Sequence, residues 1–175
     1  MPQRPPARPP SPLTRPRHRN VPLAMLRARE AVIGHFRPLL NRAGVTEQQW
    51  RVLRALADGG PLEPRRICEA CAILAPSLTG VLARMEETGL VTRERVATDQ
   101  RRMLVALTPR SCALLHDLAP YVEAQYRSVE RALGRELYDD LLRVLDAVTE
   151  RLATPAPLVP LPPAPPPARR ARKPR

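Results

Sequence analysis

Pro76-Ser77-Leu78-Thr79-Gly80-Val81-Leu82-Ala83-Arg84-Met85-Glu86-Glu87, together with the run over 90–107 beyond Gly89, decides the fold. Leu78, Leu82 and Met85, with Val81, recur at three- and four-residue spacing, so the first stretch reads as a helix with one apolar stripe. Pro76 falls in its first turn, where a missing N–H costs nothing, and Gly89 stops it. The stripe turns Ser77, Thr79, Gly80, Ala83 and Arg84 outward. Small side chains plus one cation fit close approach to base edges and phosphates. Alone, that face suits an ordinary amphipathic helix equally well, and the run that follows breaks the tie. Residues 90–96 and 103–107 read as strands joined by Thr98-Asp99-Gln100-Arg101-Arg102, a turn too polar for anything but surface. A groove-sized helix followed at once by a small hairpin tipped with arginines is the layout of a winged helix-turn-helix, which implies a reader of duplex DNA.

Within this layout, Arg101 and Arg102 are expected to reach a minor groove or phosphates. Asp99, two residues before Arg101, is placed to brace its guanidinium. The plain alternative is a solvated turn carrying a surface ion pair.

Upstream, Leu26, Ile33, Phe36 and Leu40 repeat at helical spacing, which predicts one helix over about 22–42 closed by Gly44. Thr46-Glu47-Gln48-Gln49 fits a capping box for a second helix, with Trp50, Leu53 and Leu56 as its stripe and Gly59-Gly60-Pro61 as its end. A short third helix, about 63–72, should bury Ile67 and Cys71. Downstream, Cys112, Leu115, Leu118, Val122, Tyr126, Val129 and Leu133 mark a long helix that continues past Pro120. Gly134 breaks it, and Leu137, Leu141, Val144, Leu145, Val148 and Leu152 mark a last one. The expected fold is mainly α with a small β-hairpin wing: a winged helix-turn-helix over about 46–108, inside a helical dimerisation scaffold (about 22–42 and 109–153). The flanking helices carry more apolar face than so small a module can cover. The excess predicts a two-fold homodimer, two recognition helices one DNA turn apart, and an imperfectly palindromic operator.

The 175 residues provide one domain's worth of chain, and the net charge of +12 lies mostly at the ends. Residues 1–20 hold five Arg and no acid, and 154–175 hold four Arg, one Lys and no acid. The two ends share 16 of the 23 prolines, so both are expected to be disordered Pro/Arg-rich tails around a domain at 21–153. Inside the domain, residues 51–110 carry ten basic and seven acidic side chains, whereas 111–153 carry five and eight. The DNA module is therefore the basic part. The opening lacks the charged and apolar regions of a secretory signal, and no run is long and apolar enough to span a membrane. With three cysteines, an odd number, a reducing cytoplasm is the expected location.

Asp99-Gln100-Arg101, five residues, then Leu107-Thr108 resembles the D-x-R-x5-L-T wing signature of the MarR family of bacterial regulators. With Thr46-Glu47-Gln48-Gln49-Trp50 and Arg84-Met85-Glu86-Glu87-Thr88-Gly89-Leu90, the resemblance covers 21–153. Ala28-Arg29-Glu30-Ala31, Phe36-Arg37-Pro38, Thr46-Glu47-Gln48-Gln49-Trp50-Arg51 and Pro76-Ser77-Leu78-Thr79-Gly80-Val81-Leu82 are similar to the subfamily that controls homoprotocatechuate (3,4-dihydroxyphenylacetate) degradation. This resemblance implies a dimeric repressor released from DNA by an aromatic pathway substrate, homoprotocatechuate or 4-hydroxyphenylacetate. It also implies a ligand cavity between the dimer helices and the DNA module. Ala75 departs from the Arg expected there, and the tails lie outside the match.

An aromatic acid needs a cation for its carboxylate, donors for its phenols and apolar walls. Arg29, His35, Phe36, Arg37, Trp50 and Arg51 are the candidates near the implied cavity. For Arg29 and Arg37 the plain alternative is a solvated helix face, for Trp50 core packing, and for His35 an exposed helical position. Cys68-x-x-Cys71, with Cys112 and His116, would supply four metal ligands or a thiol switch on paper. However, Cys68 and Cys71 sit within one helix with Cys71 in the stripe, so no metal and no cofactor are expected. No phosphate loop, nucleophile elbow or H-E-x-x-H occurs, and Asp139-Asp140 fits the start of a helix; nothing points to an enzyme. A thiol-sensing repressor using Cys68/Cys71 and a helical interaction module with basic tails are the alternatives.

Overall fold

A computed structural model describes residues 19–96 and 99–154, without the side chains of Val96, Gln100 and Arg101. The expected disorder of both tails falls mainly outside these residues. The chain divides into two compact units, Met1–Ala132 and Leu133–Arg175.

In the first unit, helix α1 (Val21–Gly34) begins where the Asn20 side chain accepts from the Leu23 N–H at 2.9 Å. The continuous helix expected over 22–42 is a correction: α1 ends at Gly34, and a separate α2 spans Arg37–Arg42. Pro38 is the physical reason. It has no N–H for the Gly34 carbonyl, and its ring crowds that carbonyl. The chain instead makes two tight turns, His35 N–H to Val32 O (3.1 Å) and Phe36 N–H to Ile33 O (2.9 Å). After Gly44, which takes a positive φ of 70°, α3 (Glu47–Gly59) starts with the expected capping box. The Gln49 N–H donates to Thr46 Oγ1 (3.2 Å), and the Thr46 N–H donates to Gln49 Oε1 (2.8 Å). Such a cap is worth about 1 kcal/mol.

Helix α4 (Pro64–Cys71) and helix α5 (Ala75–Glu87) form the helix-turn-helix, and α5 buries Leu78, Val81, Leu82 and Met85 as its spacing predicts. These side chains join Val52, Leu53, Ile67, Cys71, Val91 and Val105 in one core. Strands β1 (Val91–Val96) and β2 (Asp99–Leu107) pair antiparallel, Val91 opposite Leu107, with an irregular register between Arg95 and Val96. The second strand therefore starts at Asp99 rather than at 103, because beyond the register shift Asp99 pairs again, with Val96. Arg101 and Arg102 lie on the returning strand instead of at the tip. Leu62 adds a one-residue third strand through two bonds with Val105, at 3.0 and 2.9 Å, which the sequence reading missed.

Helix α6 (Pro109–Leu133) continues through Pro120 as expected. Its register places Ser111 and Leu118 inside and leaves Cys112 exposed, correcting the place given to Cys112 in the apolar stripe. Ser111 is buried because it caps this helix: its N–H donates to Thr108 Oγ1 (3.2 Å), and its Oγ accepts from the Thr108 N–H (3.0 Å). In the second unit, α7 (Arg135–Arg151) follows Gly134 and buries none of its side chains.

Candidate nucleic-acid interface and effector site

Helix α5 presents its other face to solvent. Ser77, Thr79, Gly80 and Arg84 are exposed, and Ala83 is half-buried. Thr79 Oγ1 donates to the Ala75 carbonyl at 3.2 Å, and Arg84 Nε donates to the Gly80 carbonyl at 3.3 Å. Arg84 thus lies back along the helix over Gly80, where a Cβ would stand 3.8 Å from its Nη2. The arrangement is a small, shallow surface with a guanidinium at one end.

The wing is fastened to the C-terminal end of this helix. Arg93 of β1 lies 3.0 Å from Glu86. Thr108 Oγ1 donates to the Gly89 carbonyl (2.7 Å), and Arg110 Nη1 donates to the Thr88 carbonyl (2.5 Å). The last two bond the Gly89 and Thr88 carbonyls just past the end of α5, one of them from Arg110 of α6. Sequence reasoning did not assign Arg93, Thr108 and Arg110 these roles, although Leu107-Thr108 was part of the quoted wing pattern. On the returning strand, Arg102 Nε donates to Glu63 Oε1 at 2.6 Å, which ties β2 to the start of α4. Arg102 is therefore occupied by an acid, and Asp99 is exposed. The expected reach of Arg101 and its brace by Asp99 concern a side chain outside the described residues.

Of the effector candidates, the structure brings three arginines together through two carboxylates. Arg37 reaches Glu30 (2.5 Å), Glu30 also meets Arg29 (2.8 Å), Arg29 contacts Glu47, and Glu47 lies 3.9 Å from Arg51 Nε. Hydrogen bonding from Arg37 holds the exposed Glu30 carboxyl below its ordinary range. Arg51 is half-buried, and its Nη1 donates to the Cys71 carbonyl at 2.5 Å. Burial first, and the charge of Arg29 second, depress its pKa. Phe36 is buried against Tyr126 of α6, ring centroids 4.8 Å apart at 58°. Trp50 is half-buried against the core, and His35 is exposed; neither joins the charged network.

Cys71 is buried, Cys68 half-buried and Cys112 exposed. Burial pushes the Cys71 thiol up, with Arg51 opposing. Among the described residues no three His, Cys, Asp or Glu side chains gather where they could hold a metal ion. No single described helix is long and apolar enough to cross a membrane.

These features define a winged-helix regulator built inside a helical scaffold. A MarR family model matches residues 43–102. The HTH-type transcriptional regulator FarR of Neisseria gonorrhoeae is 39% identical over 142 residues, covering 79% of this chain and 97% of the relative. The homoprotocatechuate degradative operon repressor of Escherichia coli is 38% identical over 129 residues, covering 74% and 87%. Among solved structures, NadR in complex with 4-hydroxyphenylacetate superposes with a TM-score of 0.66 at 38% identity, covering 79% of this chain and 96% of that one. The chain belongs to the MarR family; it is a transcriptional repressor and not an enzyme. Membership sets aside the alternative of a helical interaction module.

Proposed function

We propose that this chain is a cytoplasmic homodimer that represses an operon for homoprotocatechuate or 4-hydroxyphenylacetate degradation. An aromatic acid of that class releases it from a palindromic operator. Likeness to relatives tied to these two compounds, nearly end to end in the NadR complex, is the observation that carries the effector class. Residues 21–153 are the working domain. Helix α5 enters the major groove with Ser77, Thr79, Gly80 and Arg84 forward. Arg101 reaches the flanking minor groove with Asp99 as its brace, while Arg102 serves phosphate only by sharing or leaving Glu63.

The effector is held near Arg29, His35, Phe36, Arg37, Trp50 and Arg51. Three guanidiniums facing two carboxylates leave a net positive site for an incoming anion, and Phe36 and Trp50 supply aromatic surface. Binding there re-spaces the recognition helices and lowers DNA affinity by linkage. Thiol sensing at Cys68/Cys71 is disfavoured because the Cys71 thiol is buried and its thiolate suppressed.

The test is fluorescence anisotropy of the full chain on labelled duplex from its own upstream region. Homoprotocatechuate and 4-hydroxyphenylacetate are titrated in, with benzoate as the control. The expected result is salt-sensitive binding reversed by one of the first two and not by benzoate. Binding indifferent to all three would sink the effector class, and no binding at moderate salt would sink the DNA role.

A further inference from the structure

We propose that Arg51 is the positioning residue of the recognition helix: it holds the turn between α4 and α5 by completing the C-terminal cap of α4 from another helix. The inference rests on the reading of α5 as the element that enters DNA. It starts from an unfilled need. Helix α4 ends at Cys71, and its closing bonds, Ala72 N–H to Glu69 O (3.4 Å) and Ile73 N–H to Cys68 O (3.1 Å), leave the Cys71 carbonyl to find a donor elsewhere. Arg51, twenty residues earlier on α3, supplies it at 2.5 Å, and its positive charge also suits the negative end of the α4 dipole.

The next residue shows what this bond holds. Ala72 has φ 48° and ψ 48°, and is the one non-glycine residue with positive φ among the described residues. A side chain makes that conformation unfavourable, so the surrounding bonds must impose it. Only residues 72–74 separate α4 from α5, so the turn at Ala72 sets where the recognition helix points. The Nε edge of Arg51 is buried without a hydrogen-bond partner, 3.9 Å from Glu47, and Glu47 also contacts Arg29 of α1. The latch is therefore linked to the first scaffold helix, and a shift in α1 is felt at the turn.

The experiment measures operator affinity of the full chain by anisotropy for Arg51→Met, Arg51→Lys, Ala72→Gly, Arg51→Met with Ala72→Gly, and Arg84→Ala, with circular dichroism on each. Losing a charged donor to the part-buried Cys71 carbonyl should weaken operator binding by Arg51→Met about tenfold, and Arg51→Lys should lose less. Glycine adopts the left-handed turn without help, so the double variant should bind within about threefold of Ala72→Gly alone. Arg51→Met binding as wild type, or a loss that Ala72→Gly does not recover, overturns the proposal. Should Arg51→Met fail to fold, Arg51→Lys with and without Ala72→Gly is read in the same way. Arg84→Ala separates the two layers: if it weakens binding while Arg51→Met does not, only the latch falls. If neither does, the reading of α5 itself falls.

Discussion

Helices α5 and α7 are both amphipathic, yet α5 buries four of its thirteen residues and α7 none of its seventeen. The stripe of α5 is satisfied inside the chain, where each fully buried Leu, Val or Met contributes about 1.5–3 kcal/mol. Leu137, Leu142, Val144 and Leu145 of α7 stay 39–57% exposed, and α1 likewise buries nothing. The winged helix thus buries its own stripe, while these two helices leave apolar side chains exposed. In the proposed repressor, a self-contained DNA module is mounted on helices that are completed only by a second copy.

The comparison breaks first at the core. Met85 is fully buried, so Met85→Ala should cost about 2–5 kcal/mol in urea denaturation. A loss below about 0.5 kcal/mol would mean that α5 is not anchored as described. In the wing, Arg101→Ala should weaken operator binding more than about tenfold while leaving self-association intact, read by anisotropy and sedimentation. Unchanged affinity would remove the wing from the interface.

How much of this was legible beforehand follows from the range of each interaction. The α5 stripe, the Thr46 cap and the break at Gly134 are local, and their residues announce them within a turn or two. The split at Pro38 was missed because the apolar spacing from Leu26 to Leu40 survives a break that the backbone does not. The early start of β2 was missed because the Asp99–Val96 pair lies beyond a register shift, among polar residues. The single Leu62–Val105 bridge, the Arg102–Glu63 pair and the Arg51–Cys71 bond join residues 43, 39 and 20 apart, and no periodicity encodes such meetings. The effector candidates were chosen as cations for an anion; the carboxylates Glu30 and Glu47 already beside them were not foreseen.

The smallest expected effect concerns the thiols. In the native protein, iodoacetamide should label Cys112 first, Cys68 more slowly and Cys71 last, followed by mass spectrometry. A raised pKa leaves Cys71 with less thiolate than an ordinary cysteine at any given pH, and raising the pH should narrow the gap. Cys71 reacting as fast as Cys112 would contradict the packing of α4 against the core.

The most direct test of the division between module and scaffold is sedimentation of the full chain, alone and on its operator duplex, beside the variant Leu145→Asp. The wild type should run as a dimer and bind two chains per duplex. The variant should run as a monomer at the same concentration while keeping its helical signal. A wild-type monomer that binds one chain per duplex would contradict the account.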